Sequence, residues 1–376
     1  MTNKNQIPTT KISNESQNTI ADRLAGRTVR AAAPCRIDMG GTLDLKTFYL
    51  PLRSENPCTV NIALDLPTVV EVKAGRQDGV RIVSSGFAPA HFSPGRAPLD
   101  HPLGLMFAVA GYFQADRVDI RIASTSPPRS ALGGSSAAAI ALAAAFLALD
   151  RRFDGGGKSR KRAVILAHAL EESIAAVPCG VQDHLAAAYG GVNAWYWPTD
   201  IDAPFFQRRA VLPAASYRQL ERCILVAYCG KPHTSSDVNG QWVRRFITGV
   251  DRQVWIEIAA LTHKFVEALG RMDYRAAAAC MNRETALRRW MTPAVLDNAG
   301  GALVDAAVDA GCGARFTGAG GGGCVWALGR PEDIDRLRGL WEKQLAATPD
   351  ARFLTSTIDE EGLRVAFKEN EQRTTA

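Results

Sequence analysis

The sequence lacks the cysteine and histidine spacings that are typical of zinc sites. Its eight cysteines are scattered over 376 residues, with no C-x-x-C pair and no histidines at zinc spacing. A chain of this length can bury a core without disulfide cross-links. We therefore expect reduced, mostly buried thiols in place of disulfides or a zinc site.

Long apolar runs and a basic aromatic stripe are missing as well. No apolar run reaches membrane-spanning length without a charge or a helix breaker, and no signal peptide is recognisable, so a cytoplasmic protein is expected. The net charge is +6, but the arginines are not interleaved with aromatics as single-stranded nucleic acid requires. The expected partners are small anionic molecules, with no nucleic acid and no membrane, and the protein is expected to be a monomer or homodimer.

The composition that remains is typical of a globular protein. Hydrophobic residues make up 47% of the chain and charged residues 22%, enough for two domains with separate cores. Residues 1–26 are rich in Asn, Thr, Ser and Gln, which predicts a disordered tail. The pattern changes near Pro213, so we place an N-terminal domain at 27–212 and a C-terminal domain at 213–376.

Hydrophobic periodicity predicts both strands and helices. Strands are expected at 28–33, 58–63, 67–73, 79–83 and 117–123, the middle three as antiparallel neighbours. The glycines and dense charge of 151–162 predict a solvated loop. Helices are expected at 102–113, 137–149, 163–175, 254–269, 274–290, 293–310 and 331–346.

The most informative stretch is the loop at 126–136, which precedes the alanine-rich run at 137–149. Two prolines restrict its start, two glycines permit unusual backbone conformations, and two serines can cap the following helix. Free N–H groups at the positive end of a helix form an anion site. A P-loop of the GxxxxGK[ST] type is excluded because no lysine follows the second glycine. The alternative is a turn that only caps a buried helix.

A polar cluster follows the first predicted strand. It contains Arg36, the glycine pair Gly40-Gly41, Thr42 and Asp44. A carboxylate can accept two hydroxyl groups in charge-assisted hydrogen bonds, and an arginine can hold a catalytic carboxylate or a phosphoryl group. The alternative is a glycine turn with a surface aspartate.

A third group of polar residues lies around 171–184. Glu171 and Glu172 are near the end of a predicted helix, and Gln182, Asp183 and His184 follow a Pro-Cys break. Magnesium at a phosphate site needs only one or two hard oxygen ligands besides the phosphates, so one glutamate and a loop serine suffice. Taken alone, an aspartate that opens a helix is more often an N-cap than a catalyst.

These stretches resemble the motifs of the GHMP kinases, which include galactokinase, homoserine kinase, mevalonate kinase and phosphomevalonate kinase. Residues 33–44 resemble motif 1, and 128–138 resemble motif 2, P-x-x-x-G-L-G-S-S-A-A. The glycine-rich turn at 315–323 resembles motif 3, (K/R)-x-(S/T)-G-A-G-x-G-G, and is otherwise read as a low-complexity hinge. Residues 179–191 resemble C-G-K-Q-D-Q-Y-A-A-A-x-G-G of the D-glycero-D-manno-heptose 7-phosphate kinase and sugar-1-kinase branch.

The sequence departs from these patterns at four positions. Ala131 stands where motif 2 commonly has its first glycine, and Leu43 is an extra residue in the polar cluster of motif 1. Val181 and His184 replace a lysine and a glutamine of the heptose-kinase stretch. Since the last two would flank the sugar, an altered acceptor is compatible with the resemblance.

The resemblance implies a two-domain α+β fold, with an N-terminal half like ribosomal protein S5 domain 2 and a ferredoxin-like C-terminal half. It implies ATP and Mg²⁺ as cofactors and in-line transfer of the γ-phosphoryl group to a sugar hydroxyl. The first candidate is the anomeric hydroxyl of a heptose 7-phosphate or related sugar. Galactose, fucose or mevalonate as acceptor, and a catalytically silent sugar- and ATP-binding regulator, are the alternatives.

The resemblance also implies roles for individual residues. Asp183 is the expected catalytic carboxylate with Arg36 beside it, and Ser136 and Glu171 are the expected magnesium ligands, with Glu172 as second choice. Expected nucleotide contacts are Pro128, Ser130, Ala131, Leu132, Gly133, Gly134, Ser135 and Ser136. Expected acceptor contacts are Gly41, Thr42, Asp44, Gln182, His184, Gly318, Ala319 and Gly320.

Overall fold

The computed structural model describes residues 19–175, 178–200, 202–232 and 237–370. The strands are β1 (Arg27–Met39), β2 (Cys58–Ala74), β3 (Val80–Ser84), β4 (Ala90–Phe92), β5 (Val118–Ser124), β6 (Val192–Tyr196), β7 (Gln207–Ala210), β8 (Ile224–Tyr228), β9 (Gly313–Phe316), β10 (Cys324–Leu328), β11 (Arg352–Phe353) and β12 (Arg364–Glu369). The α-helices are α1 (Ile20–Arg23), α2 (Lys46–Tyr49), α3 (Gly104–Tyr112), α4 (Gly134–Leu149), α5 (Gly157–Ile174), α6 (Gln182–Tyr189), α7 (Tyr217–Glu221), α8 (Val238–Ile247), α9 (Arg252–Gly270), α10 (Tyr274–Met291), α11 (Asn298–Asp309) and α12 (Pro331–Ala346).

The first sheet is built around the long strand β2. One edge of β2 pairs antiparallel with β1, and the other edge pairs first with β6 and then with β5. The prediction of separate strands at 58–63 and 67–73 is wrong, because β2 runs through Pro67. The ladder with β1 shifts register between the pairs Cys35–Leu64 and Ala33–Thr68, so the missing N–H of Pro67 falls at an irregular point.

Strand β3 also differs from the prediction. It pairs antiparallel with β4 and parallel with β5, and β5 separates it from β2, so the expected antiparallel pairing of 67–73 with 79–83 is wrong. Parallel neighbours need a crossover connection, and here the connection contains α3. The sheet order is β12-β1-β2-β5-β3-β4, with β6 paired to β2 and β7 paired to β6.

The core of this half is formed by α4 against the sheet. Every residue from 136 to 149 is buried, and α4 packs on β1, β2 and the helices α5 and α6. Helix α5 begins at Gly157, so the second half of the predicted loop at 151–162 is helical. Lysine and arginine are good helix formers that tolerate an exposed helix face. All cysteines except Cys179 and Cys280 are buried, as expected.

The second sheet has the antiparallel order β11-β8-β10-β9. Helices α11 and α12 pack together on it around a separate apolar cluster. The expected single helix at 293–310 is interrupted: a 3₁₀ turn spans Pro293–Val295 and α11 starts at Asn298. The side chain of Asp297 accepts a hydrogen bond from Gly300 N and so fixes that start.

The two ends of the described chain change the predicted domain limits. Residues 20–23 form α1, whose N-cap Thr19 makes a capping box with Asp22, so the predicted disordered tail is wrong at 19–26. Residues 1–18 lie outside the described residues. Strand β12 pairs with β1, so the assignment of all of 213–376 to the C-terminal domain is wrong for this strand. The α+β class is confirmed, and none of the described helices is long and apolar enough to cross a membrane.

Candidate active site

The loop between β5 and α4 forms the floor of a cavity of about 420 Å³. Helix α4 starts at Gly134, and its N-cap is Gly133 with φ 78°. Neither serine stands at the capping position, so the predicted serine cap is wrong. The first N–H groups of a helix have no intrahelical acceptors, and those of α4 open toward the loop. This end of the cavity is suited to an anion.

Part of the wall of the same cavity is apolar. Its walls come from α3, from the end of β3 and from the loop itself, and they include Phe87, Leu103, Leu105, Met106 and Pro128. An apolar recess beside an anion site matches the shape of a nucleotide, whose base is flat and apolar and whose phosphates are charged. Among the expected nucleotide contacts, Leu132 differs, because its side chain is fully buried in the core.

Arg36 and Asp183 form a two-pronged ion pair at the polar end of the cavity. Arg36 Nε and Nη2 each donate to Asp183 at 2.8 Å, while Nη1 donates to Ala131 O at 2.7 Å. Burial raises the pKa of Asp183, and the nearby Arg36 guanidinium lowers it only in part, so the pKa stays above its usual value. A Cβ on Gly133 would lie 3.2 Å from Asp183 Oδ2. The loop backbone therefore lies directly against this carboxylate.

Ser136 and Glu171 meet at the start of α4. Ser136 Oγ donates to Glu171 Oε2 at 2.8 Å, and both residues line the cavity. Burial raises the pKa of Glu171, but its contacts with His184 and Ser136 outweigh burial and leave the pKa below its usual value. An ionised carboxylate and a hydroxyl beside a phosphate site fit Mg²⁺. Glu172 instead lines a second cavity, so the structure favours Glu171.

The second cavity, of about 460 Å³, lies beside Asp44. Asp44 is buried and accepts a hydrogen bond from Gln182 N at 3.0 Å, and burial raises its pKa to about 6. Gln182 Oε1 in turn accepts from Asn61 Nδ2 at 3.0 Å. Because Gln182 precedes Asp183, Asp44 is held close to the first turn of α6. The cavity walls also contain Lys46, Tyr49, His168, Trp197 and Phe205.

Five of the expected acceptor contacts line neither cavity: Gly41, Thr42, Gln182, His184 and Gly320. The side chain of His184 is fully buried and lies against Glu171, away from both cavity linings. Gly320 packs against Val295, where a Cβ would lie 2.4 Å from the carbonyl oxygen. Thr42 lies in reach of Arg288 Nη1 at 3.4 Å. Gly318 and Ala319 line the nucleotide-shaped cavity and not the cavity beside Asp44, which also differs from the prediction.

Sequence reasoning missed a chain of buried charges behind the site. Asp38 Oδ1 lies 3.6 Å from Arg36 Nη1, and Asp38 Oδ2 lies 3.0 Å from Arg315 Nη1. Glu284 then contacts Arg315 at 2.9 Å and Arg288 at 2.8 Å. Arg288 Nη2 donates to Gly41 O at 2.6 Å, which returns the chain of contacts to the loop after β1.

Part of this arrangement has a signal in the sequence. Asp38 stands two residues after Arg36, and such residues share a face of a strand. Glu284 and Arg288 have the i,i+4 spacing of a helical ion pair. Their burial depends on which sheet α10 covers, and no local pattern encodes that. Asp38 also accepts from Gly318 N at 2.8 Å, a contact across 280 residues.

Comparisons with known proteins agree with this fold and site. The family model for the N-terminal domain of GHMP kinases matches residues 104–191, and the model for GHMP kinases C terminal matches residues 265–347. A search of curated protein sequences gives no significant match.

Several solved structures share the fold at low sequence identity. A D-glycero-D-manno-heptose 1-phosphate kinase from Bacteroides thetaiotaomicron has a TM-score of 0.68 and 15% identity, covering 90% of this chain and 98% of its own. Galactokinase from Lactococcus lactis has a TM-score of 0.67 and 17% identity, and the match covers 90% of this chain and 95% of the galactokinase. Phosphomevalonate kinase from Streptococcus pneumoniae has a TM-score of 0.66 and 15% identity, and the match covers 88% of this chain and 99% of that kinase.

The two matched domains and the two-domain fold define a phosphotransferase with an alcohol group as acceptor. More particularly, the chain carries the N-terminal and C-terminal domains of the GHMP kinases. The resemblance of its motifs to this family is thereby confirmed. The likeness to individual solved structures concerns the fold, since each of the three is below 20% identical.

Proposed function

We propose that this protein transfers the γ-phosphoryl group of ATP to a hydroxyl of a sugar, with the anomeric hydroxyl of a heptose 7-phosphate or related sugar as first candidate. The observation that carries the proposal is the position of Asp183. Its carboxylate lies at the phosphate loop, held by Arg36, while the preceding residue Gln182 holds Asp44 beside the second cavity. A donor and an acceptor bound in the two cavities would therefore meet at α6.

The first cavity supports ATP as the donor. The N-terminus of α4 and the loop at 126–136 would bind the phosphates, and the apolar walls would receive the base. Ser136 and Glu171 would hold Mg²⁺, which when bound neutralises phosphate charge during transfer. The touching hydroxyl and ionised carboxylate are the observation that supports this assignment.

The ion pair of Arg36 with Asp183 supports the catalytic assignment. Two parallel N–H···O bonds fix the plane of the carboxylate. A carboxylate fixed in this way can accept the proton of the attacking hydroxyl or orient it, and its raised pKa makes it a better proton acceptor. Positioning and charge neutralisation supply most of the catalysis in phosphoryl transfer.

The second cavity supports a polyhydroxylated acceptor. Asp44 offers a buried carboxylate, and Tyr49, Trp197 and Phe205 offer aromatic surface. Carboxylates that accept paired hydroxyls and aromatic faces that cover C–H surfaces suit a sugar better than mevalonate. Galactose and fucose remain the alternatives within this class. We also propose a cytoplasmic protein, which the buried free thiols support.

The proposal is tested by ADP release from Mg·ATP with free hexoses, heptoses, their 6- and 7-phosphates, and mevalonate. We expect release with one sugar, and a loss of about 100-fold or more in the Asp183→Asn variant. ATP affinity should be nearly unchanged in that variant, because the loop at 126–136 is intact. Normal turnover by Asp183→Asn would refute the catalytic role, and release with mevalonate alone would refute the sugar acceptor.

A further inference from the structure

The imidazole of His184 lies next to the proposed magnesium ligand. Its Nε2 is 2.8 Å from Glu171 Oε2, and its side chain is fully buried. The ring also packs edge-on against His168, with ring centroids 5.3 Å apart. Among the described residues, Nδ1 of His184 has no hydrogen-bond partner, and the contact of Nε2 with Glu171 Oε2 is the one close polar contact of the ring. Such a buried group costs free energy unless another interaction compensates.

The same carboxylate oxygen receives two contacts. Ser136 Oγ donates to Glu171 Oε2 at 2.8 Å, and His184 Nε2 approaches this oxygen at the same distance. Within the described residues, Glu171 Oε1 has no hydrogen-bond partner, and Glu171 lines the cavity over the phosphate loop. One oxygen is therefore held and the other is available to a ligand in the cavity. Groups behind a metal ligand fix its orientation in this way.

We propose that His184 is a positioning residue, which holds Glu171 in the orientation that binds Mg²⁺ together with ATP. This inference rests on the proposed function. Asp183 and His184 are neighbours in the first turn of α6, and their side chains point to different partners, Arg36 and Glu171. The start of one helix thus fixes both the catalytic carboxylate and the magnesium ligand.

The chemistry of the side chain limits what can replace it. A glutamine at position 184, as in the resembling heptose-kinase stretch, keeps an N–H donor of similar reach. A leucine keeps the volume and loses the donor. His184→Gln and His184→Leu therefore separate the donor from packing, and His184→Asn keeps polarity but shortens the reach. His263→Leu is the control for loss of a histidine elsewhere, since His263 contacts Glu55 O and Asn56 O.

The experiment is calorimetric titration of ATP with and without Mg²⁺ for the wild-type protein and these variants, without any acceptor. We expect Mg²⁺ to raise the ATP affinity of the wild type, His184→Gln and His263→Leu alike. In His184→Leu and His184→Asn we expect this gain to fall by about 10- to 100-fold, with affinity for ATP alone unchanged. Retention of the full gain in folded His184→Leu, or in His184→Asn if the leucine variant does not fold, overturns the inference.

The acceptor assay separates this inference from the proposed function. If the wild type binds Mg·ATP and His184→Leu loses the gain, the inference stands even when no sugar on the panel reacts. If a sugar is phosphorylated and His184→Leu keeps the gain, the proposed function stands and the inference is overturned. A wild type whose ATP affinity ignores Mg²⁺ overturns the inference together with the magnesium site.

Discussion

Replacing Glu284 is the most demanding test of the role of the buried charges behind the site. Glu284 lies on α10 between two guanidinium groups, 2.8 Å from Arg288 Nε and 2.9 Å from Arg315 Nε. All three side chains have no exposed surface. The substitution Glu284→Gln keeps the shape of the side chain but removes the charge, so Arg288 loses its carboxylate partner and Arg315 keeps only Asp38 among the described residues.

The expected cost follows from the burial of these charges. Removing one partner of a buried ion pair typically costs about 3–5 kcal/mol, because the remaining charge stays desolvated. Burial already lowers the pKa of Arg288 to about 10 despite its partner Glu284. We therefore expect Glu284→Gln to lower the free energy of unfolding by about 3–5 kcal/mol. With a urea m-value of about 3 kcal/mol per molar, the midpoint falls by about 1–1.7 M.

The assay is urea denaturation followed by tryptophan fluorescence, with Glu257→Gln as the matched control. Glu257 also pairs with an arginine of α10, Arg283, at 2.7 Å, but both side chains are largely exposed. Solvent screens such a pair, so the control midpoint should stay near the wild type. Equal midpoints for Glu284→Gln and Glu257→Gln would refute the reasoning, since burial would then make no difference.

Two further predictions concern the site itself. Gly133→Ala introduces a Cβ 3.2 Å from Asp183 Oδ2 at a residue with φ 78°, a backbone conformation that costs about 1–2 kcal/mol for alanine. We therefore expect turnover to fall at least about tenfold. The control Gly111→Ala, whose Cβ meets open space, should keep wild-type turnover. Asp44 has a pKa raised to about 6, so its ionisation destabilises the folded state as pH rises from about 4 through 6. Relative to the wild type, Asp44→Asn should gain up to about 3 kcal/mol of stability between pH 4 and pH 7, and a pH-independent difference in the free energy of unfolding would contradict this.

Sequence patterns predicted the bounds of a helix correctly where a residue at the end of that helix marks the boundary. Helix α12 has the predicted bounds, Pro331–Ala346, because proline at the first helical position marks a start. The interrupted helix at 293–310 shows the limit of this reasoning. Helix α11 starts only after Asp297, which is its N-cap. The apolar spacing that predicted the longer helix does not show this start.

Pairings between distant segments could not be predicted in this way. Strand β2 was predicted as two strands that are separated just before Pro67. It is one continuous strand, and its partner on one edge changes from β6 to β5 near that proline. Strand β12 joins β1 across more than 330 residues, and no local feature of 364–369 indicates that partner. Register and partner choice follow from the packing of whole faces, so they appear only with the fold.

The glycines of the candidate site show which of its contacts can be recognised in the sequence. At Gly318 a Cβ would lie 3.4 Å from both Ala131 O and Arg36 Nη2, and at Gly323 it would lie 2.6 Å from Ser130 O. The glycine-rich turn after β9 thus packs on the phosphate loop. Close approach requires glycine at Gly323, and the φ of 60° favours it at Gly318, so these contacts leave a mark in the sequence. The buried charges leave only the spacings of Arg36 with Asp38 and of Glu284 with Arg288, because their burial comes from the packing of whole elements.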